Sequence, residues 1–293
     1  MQTINHLETL RKVVADLRQT GTVALVPTMG ALHSGHLALV REAKRRCNHV
    51  VVSIFVNPRQ FAAGEDLDAY PRQLAQDQAL LEAEGVAALW APGAAEMYPA
   101  GYATSIGVSG VSEGLCGADR PGHFDGVATV VCKLFNQVQP DAALFGEKDW
   151  QQLAVIRRMA RDLDLTRPHE NAIYGVPTVR EADGLALSSR NAYLSAQERA
   201  QAVALPRAMD AAVAAIVAGE PVAHVLAGLE ADLLAGGFHA VDYALLCDAE
   251  TLTPLTERGD RQARLLVAAR IGRARLIDNQ NVPIGAQGQA KFT

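Results

Sequence analysis

A segment rich in glycine and histidine follows a short apolar run at residues 22–26, and it reads Pro27-Thr28-Met29-Gly30-Ala31-Leu32-His33-Ser34-Gly35-His36. The apolar run predicts a strand, and the residues after His36 predict a helix that begins near that histidine. A helix N-terminus offers unpaired N–H groups and a positive dipole end, so it can hold phosphate groups. His33 and His36 are three residues apart and can donate to the same phosphoryl oxygens. The alternative is a glycine turn with two incidental surface histidines. The Walker A pattern G-x-x-x-x-G-K-[ST] is not present in the sequence.

Two further polar segments contain amide and imidazole side chains. Asn57 and Gln60 follow a second apolar run, at residues 50–56. Amides can bind hydroxyl and carboxylate groups without adding charge, although an ordinary loop is an equal alternative. Arg120 and His123 lie in the glycine-flanked segment Arg120-Pro121-Gly122-His123-Phe124-Asp125-Gly126, for which a structural salt bridge is the alternative.

Two later segments carry cations suited to phosphate. Lys148 lies in Gly146-Glu147-Lys148-Asp149-Trp150-Gln151-Gln152, after a predicted strand, and a lysine is a point charge for a phosphate oxygen. Asp149 and Gln152 share a helix face there, although Asp149 could equally be an N-cap. The segment Leu187-Ser188-Ser189-Arg190-Asn191 could be a phosphate clamp or a polar linker.

The elements that must position these segments alternate between strand and helix. Strands are predicted at residues 22–26, 50–56, 86–90 and 142–145, and helices at 37–46, 73–84, 127–138 and 150–163. An earlier helix is predicted from the helical spacing of Ile4, Leu7, Leu10, Val14 and Leu17. This alternation predicts a Rossmann-like, doubly wound parallel α/β sheet over residues 1–183, with ligands at the carboxyl ends of its strands.

A smaller α+β domain is predicted over residues 184–282. Ser195 and Glu198 form a capping-box pattern that starts an alanine-rich helix, which Gly219-Glu220-Pro221 ends near residue 218. A second helix is predicted to about residue 234, followed by strands at 241–246, 264–269 and 274–278. Residues 283–293 are rich in Gly and Gln and are predicted to be disordered.

Composition narrows the class of protein. The 293 residues carry a formal net charge of −5 and no basic stripe, which argues against nucleic acid as a partner. The four cysteines are scattered without a C-x-x-C pair, which suits a reducing compartment. The first twenty residues lack the apolar stretch of a signal peptide, and the longest apolar runs are too short to span a bilayer. We therefore expect a cytoplasmic protein without a membrane partner.

Taken together, five blocks resemble the pantothenate synthetase (pantoate–β-alanine ligase) family. The blocks occur in the family's order across residues 3–278, and they are Pro-Thr-Met-Gly-Ala-Leu-His-x-Gly-His, Phe-Val-Asn-Pro-x-Gln-Phe, Arg-Pro-Gly-His-Phe, Phe-Gly-Glu-Lys-Asp and Leu-Ser-Ser-Arg-Asn. The His-x-Gly-His block alone is shared with a wider nucleotidylyltransferase superfamily. The other four narrow the resemblance to this family.

The resemblance implies a two-step reaction and a set of roles. Pantoate would attack ATP to give enzyme-bound pantoyl adenylate, and β-alanine would then give pantothenate and AMP. Mg²⁺ would accompany ATP without a metal-binding residue being implied, and the protein would be a homodimer. The implied ATP-binding residues are Met29, Gly30, Ala31, Leu32, His33, Ser34, Gly35, His36, Gly146, Glu147, Lys148, Asp149, Val179 (by its backbone, to adenine), Leu187, Ser188, Ser189 and Arg190. The implied catalytic residues are His36, His33, Lys148, Ser188, Ser189 and Arg190. The implied substrate-binding residues are Gln60, Gln152, Asn57, Arg120 and His123.

The chain departs from the family pattern at two places. Arg59 stands beside Gln60 where many relatives carry Met, and an extra cation there would affect how a carboxylate binds. Residues 165–174 are longer than the pattern leads us to expect, and we interpret them as a surface loop in which His169 has no assigned role.

Three rival functions share parts of this pattern. An adenylyltransferase would use the same histidine chemistry but would release its nucleotidyl product. A non-catalytic nucleotide-binding regulator could use the same fold. A tRNA-charging enzyme is disfavoured because the chain lacks a basic surface and a recognisable anticodon-binding domain.

Overall fold

The structure is a computed structural model that describes residues 1–61, 67 and 70–284. The chain divides into two compact units. The first consists of Met1–Glu113, Arg120–Glu147 and Gln151–Thr178, and the second of Gly114–Asp119, Lys148–Trp150 and the residues from Val179 onward. The main change of unit therefore follows Thr178, whereas the sequence predicts it at residue 184. Of the predicted disordered tail, residues 285–293 lie outside the described residues.

The first unit is built on a six-stranded parallel sheet flanked by helices. Its strands are β1 (Gln2–Ile4), β2 (Val23–Thr28), β3 (His49–Ile54), β4 (Ala88–Trp90), β5 (Ala142–Gly146) and β6 (Ile173–Val176). Its helices are α1 (Leu7–Arg18), α2 (Ser34–Arg46), α3 (Leu74–Ala83), α4 (Ala94–Met97), α6 (His123–Val138) and, from its second residue onward, α7 (Trp150–Asp162). The four-residue α5 (Cys116–Asp119) belongs to the second unit. Single 3₁₀ turns occupy Pro58–Gln60, Glu147–Asp149 and Glu170–Ala172.

The strand order in this sheet is β1-β4-β3-β2-β5-β6, and every pairing is parallel. The order reverses between β2 and β5, so the carboxyl ends of these two strands flank the crevice where doubly wound sheets bind ligands. Residues Val23–Val26 and Val50–Val52 are buried, as strands covered on both faces must be. The predicted doubly wound parallel α/β sheet is confirmed.

The first residues of the chain correct one prediction. Ile4 belongs to β1 rather than to the first helix, and it pairs in parallel with Trp90 of β4. The helix begins instead at Leu7, whose backbone N–H donates to Glu96 Oε1 at 2.8 Å. Ile4 is apolar because it is the buried residue of this edge strand. Its position three residues before Leu7 matches the helical spacing only by coincidence.

The second unit combines helices with a three-stranded antiparallel sheet in the order β7-β8-β9. Its longer elements are α8 (Ala196–Gln201), α9 (Ala204–Ala218), α10 (Val222–Ala235), β7 (Ala240–Asp248), β8 (Ala263–Ile271) and β9 (Ala274–Val282), with a 3₁₀ helix at Ser189–Tyr193. The capping box between Ser195 and Glu198 is present, and Gly219 ends α9 in the left-handed conformation with φ 95°. The predicted smaller α+β architecture is therefore confirmed.

One stretch in the described residues, Ala196–Ala218, is long and apolar enough to pass a composition test for a membrane span, with a mean hydropathy of 1.3. Its apolar side chains have another use in this fold. Leu205, Met209 and Ile216 are buried in the same core as the strands β8 and β9. A core helix passes the same test, so this stretch carries little weight as a membrane segment.

In the segment at residues 165–174, every residue before β6 except the buried Pro168 is exposed or partly exposed, as in a surface loop. His169 Nδ1 accepts from the backbone N–H of Asn171 at 3.2 Å and so caps the short 3₁₀ turn at Glu170–Ala172. A local structural use therefore accounts for this histidine.

Candidate active site

The two histidines of the first segment stand at the start of α2. His33 is the N-cap residue, and its Nδ1 accepts from the backbone N–H of Gly35 at 3.2 Å. The backbone N–H of His33 donates in turn to His36 Nδ1 at 3.3 Å, and the ring centroids lie 4.1 Å apart. Because both Nδ1 atoms accept from backbone N–H groups, each neutral ring carries its proton on Nε2. The pair therefore presents two Nε2–H donors at a helix N-terminus.

A buried carboxylate holds the turn that precedes these histidines. Asp77 on α3 is 1% exposed and accepts from the backbone N–H groups of Ala31 and Leu32, both at 2.9 Å. Ala31 has φ 52° and Gly30 has φ 86°, a left-handed pair that turns both N–H groups toward one side. A Cβ atom on Gly30 would lie 3.0 Å from Asp77 Oδ2, so glycine suits this close approach.

The second segment forms a single 3₁₀ turn after β3, and the side-chain amides of Asn57 and Gln60 form a hydrogen bond to each other. Asn57 Nδ2 donates to Gln60 Oε1 at 3.1 Å and to the backbone oxygen of Gly126 at 3.1 Å. Tyr98 Oη donates to Asn57 Oδ1 at 2.7 Å. Gln60 Nε2 lies 3.0 Å from Met29 Sδ in the first segment. The turn after β3 is thus in contact with the loop after β2.

Two side chains of the third segment form hydrogen bonds to the backbone of the same turn. His123 Nδ1 donates to the backbone oxygen of Gln60 at 2.7 Å, and Arg120 Nη2 donates to that oxygen at 3.3 Å. Arg120 Nη1 also lies 3.0 Å from His123 Nε2, which must accept because Nδ1 carries the proton. These two side chains therefore hold the backbone of the Gln60 turn.

The cation Arg59, next to Gln60 in the sequence, lies against two aromatic rings. It is exposed, and its guanidinium lies 5.5 Å from the ring centre of Tyr98 and 5.4 Å from that of Tyr102. Both distances are within the range of a cation–π contact.

The fourth segment begins in the first unit, at the carboxyl end of β5. Gly146 is the last residue of that strand, which pairs with β2, so it ends beside the loop that carries the histidines. Gln152 lies in the first turn of α7 and is partly exposed. Its neighbour Gln151 is buried and donates to the backbone oxygen of Val111 at 3.0 Å. Gln151 therefore has a structural role inside the unit, whereas the partly exposed Gln152 is accessible to solvent.

A hairpin in the second unit brings the remaining predicted segments together. The backbone N–H of Leu187 donates to the oxygen of Val179 at 3.0 Å, and Arg180 bridges Ala186 in antiparallel fashion. Ser188 then caps the following 3₁₀ helix, since its Oγ accepts from the backbone N–H of Arg190 at 3.3 Å. Val179 therefore lies across the hairpin from the start of the Ser188–Arg190 segment.

Two adjacent residues of β9 anchor this arrangement. Asp278 forms a bidentate ion pair with Arg180, at 2.6 and 2.9 Å, and hydrogen bonding to the carboxylate raises the pKa of Arg180. Asn279 Nδ2 donates to the backbone oxygen of Lys148 at 2.8 Å. Lys148 and Ser188 line one narrow cleft, and Lys148 Nζ lies 3.8 Å from Asp149 Oδ1.

The sequence of this chain matches a known family over nearly its whole length. The family model for pantoate-beta-alanine ligase matches residues 2–281 of this chain. The chain belongs to the pantoate–β-alanine ligase family. It is therefore a ligase, as the curated relatives are.

Relatives of this ligase match it over nearly its whole length. A pantothenate synthetase from Novosphingobium aromaticivorans is 70% identical over 96% of this chain and 99% of its own. One from Sphingopyxis alaskensis is 59% identical over 97% of this chain and 100% of its own. The crystal structure of pantothenate synthetase from Thermus thermophilus has 49% identity and a TM-score of 0.89, over 96% of this chain and 99% of that one. A pantoate-beta-alanine ligase from Francisella tularensis, complexed with beta-gamma ATP and beta-alanine, has 31% identity and a TM-score of 0.80, over 97% and 99%.

The ligase fold gathers the predicted site residues within each unit. In the first unit, Met29–His36, Asn57–Gln60, Arg120 and His123 form one contacting set, with Gly146 on the neighbouring strand. In the second unit, Lys148 lies with the hairpin that carries Val179 and Leu187–Arg190. Three residues that hold parts of the site in place were not predicted from the sequence, namely Asp77, Tyr98 and Asp278. Each looks like an ordinary helix, loop or strand residue until its distant partner is known.

Proposed function

We propose that this ligase joins pantoate to β-alanine with ATP, giving pantothenate, AMP and pyrophosphate through an enzyme-bound pantoyl adenylate. The observation that carries the proposal is the placement of His33 and His36 together at the N-terminus of α2, with ring centroids 4.1 Å apart. The family membership and the ATP and β-alanine named for the Francisella tularensis ligase support it.

In the first step, a carboxylate oxygen of pantoate attacks the α-phosphorus of ATP. A new O–P bond forms, the bond between the α-phosphorus and the bridging oxygen breaks, and pyrophosphate leaves with the bond's electron pair. The carboxylate is already ionised at pH 7, so this step needs no general base. Catalysis then depends on positioning and on stabilising negative charge on the phosphoryl oxygens.

The groups proposed to bind ATP supply that stabilisation. His33 and His36 donate from Nε2, and the α2 N-terminus adds the positive end of its dipole. Lys148 provides a full positive charge. The other proposed ATP contacts are Met29–Gly35, Gly146, Glu147, Asp149, the Val179 backbone, and Leu187, Ser188, Ser189 and Arg190.

Amide groups are proposed to hold the acid substrates. Gln60 presents Nε2 toward the histidine loop, near Met29, and an amide N–H there can donate to a carboxylate or hydroxyl oxygen. Gln152 on α7 is proposed as the second such contact. Asn57 belongs to the same amide cluster, while Arg120 and His123 support it through the Gln60 carbonyl.

In the second step, the neutral amine of β-alanine attacks the acyl carbon of the adenylate. The C–N bond forms, the C–O bond to phosphate breaks, AMP leaves, and the amine loses a proton. One oxygen of pantoate therefore ends in AMP. Carboxylate-labelled [¹⁸O]pantoate should transfer a single label to AMP, and unlabelled AMP from labelled pantoate would exclude the adenylate.

Mg²⁺ is proposed to enter as part of the nucleotide substrate. The part of the chain that the structure describes contains no cluster of three or more His, Cys, Asp or Glu side chains that could hold a metal ion. Oxygen-rich phosphates suit Mg²⁺, which usually keeps several waters and few protein ligands.

The variant His36→Asn tests the role of the imidazole pair. Asn keeps an oxygen near the position of Nδ1, so the N–H of His33 retains its acceptor, but Nε2–H is lost. We expect pyrophosphate release with pantoate and ATP to fall on the order of a hundredfold, with the melting temperature nearly unchanged. His6→Asn, at an exposed histidine, is the matched control. Near-normal release in His36→Asn and also in Lys148→Ala would refute the assignment.

Withholding β-alanine separates the ligase from its rivals. Without it, we expect about one pyrophosphate per active site and then a stall, because the adenylate stays bound. Continuous turnover without β-alanine would indicate an adenylyltransferase that releases its product. A failure to release pyrophosphate from ATP under either condition would indicate a non-catalytic nucleotide-binding protein.

We also propose that the ligase is a cytoplasmic homodimer, as its resemblance to the family implies. The chain has a mass of 31.2 kDa, so light scattering after size exclusion should give about twice that value. A monomeric mass at working concentrations would refute the dimer.

A further inference from the structure

We propose that Tyr98 is a positioning residue that fixes the direction of the Gln60 amide through Asn57, so that Gln60 offers N–H donors to the acid substrate. This inference rests on the proposed function, because it concerns the recognition of the acid at that site. It adds a residue that lies in a different part of the sequence from every motif described above.

The orientation of the Asn57 amide follows from its backbone partners. The backbone N–H of Arg59 can only donate, and it faces Asn57 Oδ1 at 3.3 Å. The backbone oxygen of Gly126 can only accept, and it faces Asn57 Nδ2 at 3.1 Å. These two contacts assign the oxygen and nitrogen of a side chain that is 1% exposed.

Tyr98 supplies the shortest of the contacts that hold this amide. Its hydroxyl donates to Asn57 Oδ1 at 2.7 Å, compared with 3.3 Å for the Arg59 N–H. Without the hydroxyl, Asn57 Oδ1 would keep only the longer bond. The tyrosine therefore adds the shortest hydrogen bond to the contacts that keep Asn57 in this orientation.

The Gln60 amide is oriented in turn. Asn57 Nδ2 can only donate, so the atom of Gln60 that faces it at 3.1 Å is Oε1. The Nε2 group then points to the other side, where it contacts the weak acceptor Met29 Sδ at 3.0 Å. An incoming carboxylate or hydroxyl oxygen is a better acceptor than a thioether. A reversed amide would place its oxygen against the substrate oxygen and repel it.

The environment of Tyr98 keeps its hydroxyl protonated and close to Asn57, so that it can donate a hydrogen bond at all working pH values. Its ring packs on Phe55, with ring centres 6.1 Å apart, and on Tyr102, with ring centres 5.0 Å apart. Burial raises the pKa of Tyr98 to about 12, so the hydroxyl keeps its proton throughout the working range of pH. The ring contacts fix where the hydroxyl oxygen lies, and Asn57 Oδ1 is the acceptor within 2.7 Å of it.

A double-mutant cycle tests the inference in the full-length ligase. We expect Tyr98→Phe to raise KM for pantoate about tenfold, the usual effect of one hydrogen bond, with kcat changed less. Gln60→Ala should raise KM more. The double variant should match Gln60→Ala, because Tyr98 acts through Gln60. Tyr102→Phe, in the same aromatic cluster, is the matched control and should leave KM unchanged.

Several results would overturn the inference. An unchanged KM in Tyr98→Phe would do so, and so would effects that multiply in the double variant, since these indicate a purely structural role. Asn57→Asp gives a second route if Tyr98→Phe folds poorly. It keeps the acceptor for Tyr98 but turns an acceptor toward Gln60, so the Gln60 amide should reverse and KM should rise at least tenfold. An unchanged KM there counts against the inference alone, whereas an inactive wild type counts against the proposed function.

Discussion

The carboxylate of Asp77 accepts a 2.9 Å hydrogen bond from the backbone N–H of Leu32, across 45 residues of sequence. Its other oxygen accepts from the next N–H upstream, that of Ala31. A buried acid on α3 thus fixes the turn that leads into the proposed catalytic histidines.

Asp77→Asn should impair both stability and activity. An amide offers one acceptor and one donor, so one of the two N–H groups would face a donor. Loss of a hydrogen bond to a charged group costs about 1.5–3 kcal/mol, so we expect kcat/KM to fall at least about tenfold. The control is Glu82→Gln, at an exposed acid on the same helix. Equal kinetics in the two variants would contradict the role given to Asp77.

Gly126→Ala should disrupt the turn at Asn57–Gln60. A Cβ atom there would lie 2.7 Å from the backbone nitrogen of Gln60 and in severe contact with the backbone oxygen of Arg59. Because both neighbours are backbone, the turn itself must move, and we expect KM for pantoate to rise. Gly228→Ala on α10 is the control, since its Cβ meets nothing within 4 Å. That change should stabilise the protein by about 0.5–1 kcal/mol in chemical denaturation. A pantoate KM that stays at the wild-type value in Gly126→Ala would show that the turn tolerates the methyl group.

Asp278→Asn should weaken both stability and ATP binding. The Asp278 side chain is fully buried and pairs with Arg180, whose side chain is 27% exposed. Removing one partner of a buried pair typically costs about 3–5 kcal/mol, and the partial exposure of Arg180 places our expectation at the lower end. Urea denaturation measures this loss, and a rise in KM for ATP would report the loosened Val179–Leu187 hairpin. Glu8→Gln, which breaks an exposed pair with Lys12, should change neither value measurably.

The ion pairs of the Asp242 carboxylate should stabilise the ligase at neutral pH and lose this effect in acid. Burial alone would raise the pKa of this carboxyl, but hydrogen bonds from Arg270 and Arg275, at 2.8 and 2.7 Å, lower its pKa below the ordinary 3.8. A depressed folded-state pKa contributes stability above the unfolded-state value, and that contribution is lost as the pH falls through the folded-state pKa.

The measurement is the difference in unfolding free energy between wild type and Asp242→Asn over a pH series. We expect a large difference at pH 6 that shrinks below pH of about 4. A difference that does not vary with pH would show that the ion pairs to Asp242 contribute nothing through its charge.

The sequence was sufficient where a local pattern determines the structure. The apolar runs at residues 22–26 and 50–56 became β2 and β3, and the polar segments after them lie at the carboxyl ends of those strands. The break at Gly219 followed from the preference of glycine for the left-handed conformation. In such cases neighbouring residues carry all the information.

The sequence was insufficient where a contact joins distant residues. Asp77 is an acid in a polar helix, and nothing local distinguishes it from exposed Glu82. Ile4 fits a helical spacing and a strand equally well, and its pairing with β4, more than eighty residues away in the chain, decided the outcome. The roles of the individual site residues in binding ATP and the acid stay predictions until the variants above are measured.

The adjacency of Asp278 and Asn279 has a consequence for the hairpin that carries them. Successive side chains on a strand point to opposite faces, and β9 is held in register by Val267 opposite Asp278 and Leu266 opposite Asn279. A slip of one residue would place Ile277 or Asn279 opposite Arg180 and remove its carboxylate. The two-residue connection Gly272-Arg273 between β8 and β9 therefore helps to set the position of the loops that we propose to bind ATP. An insertion that shifted this register would separate Asp278 from Arg180 and Asn279 from Lys148 together.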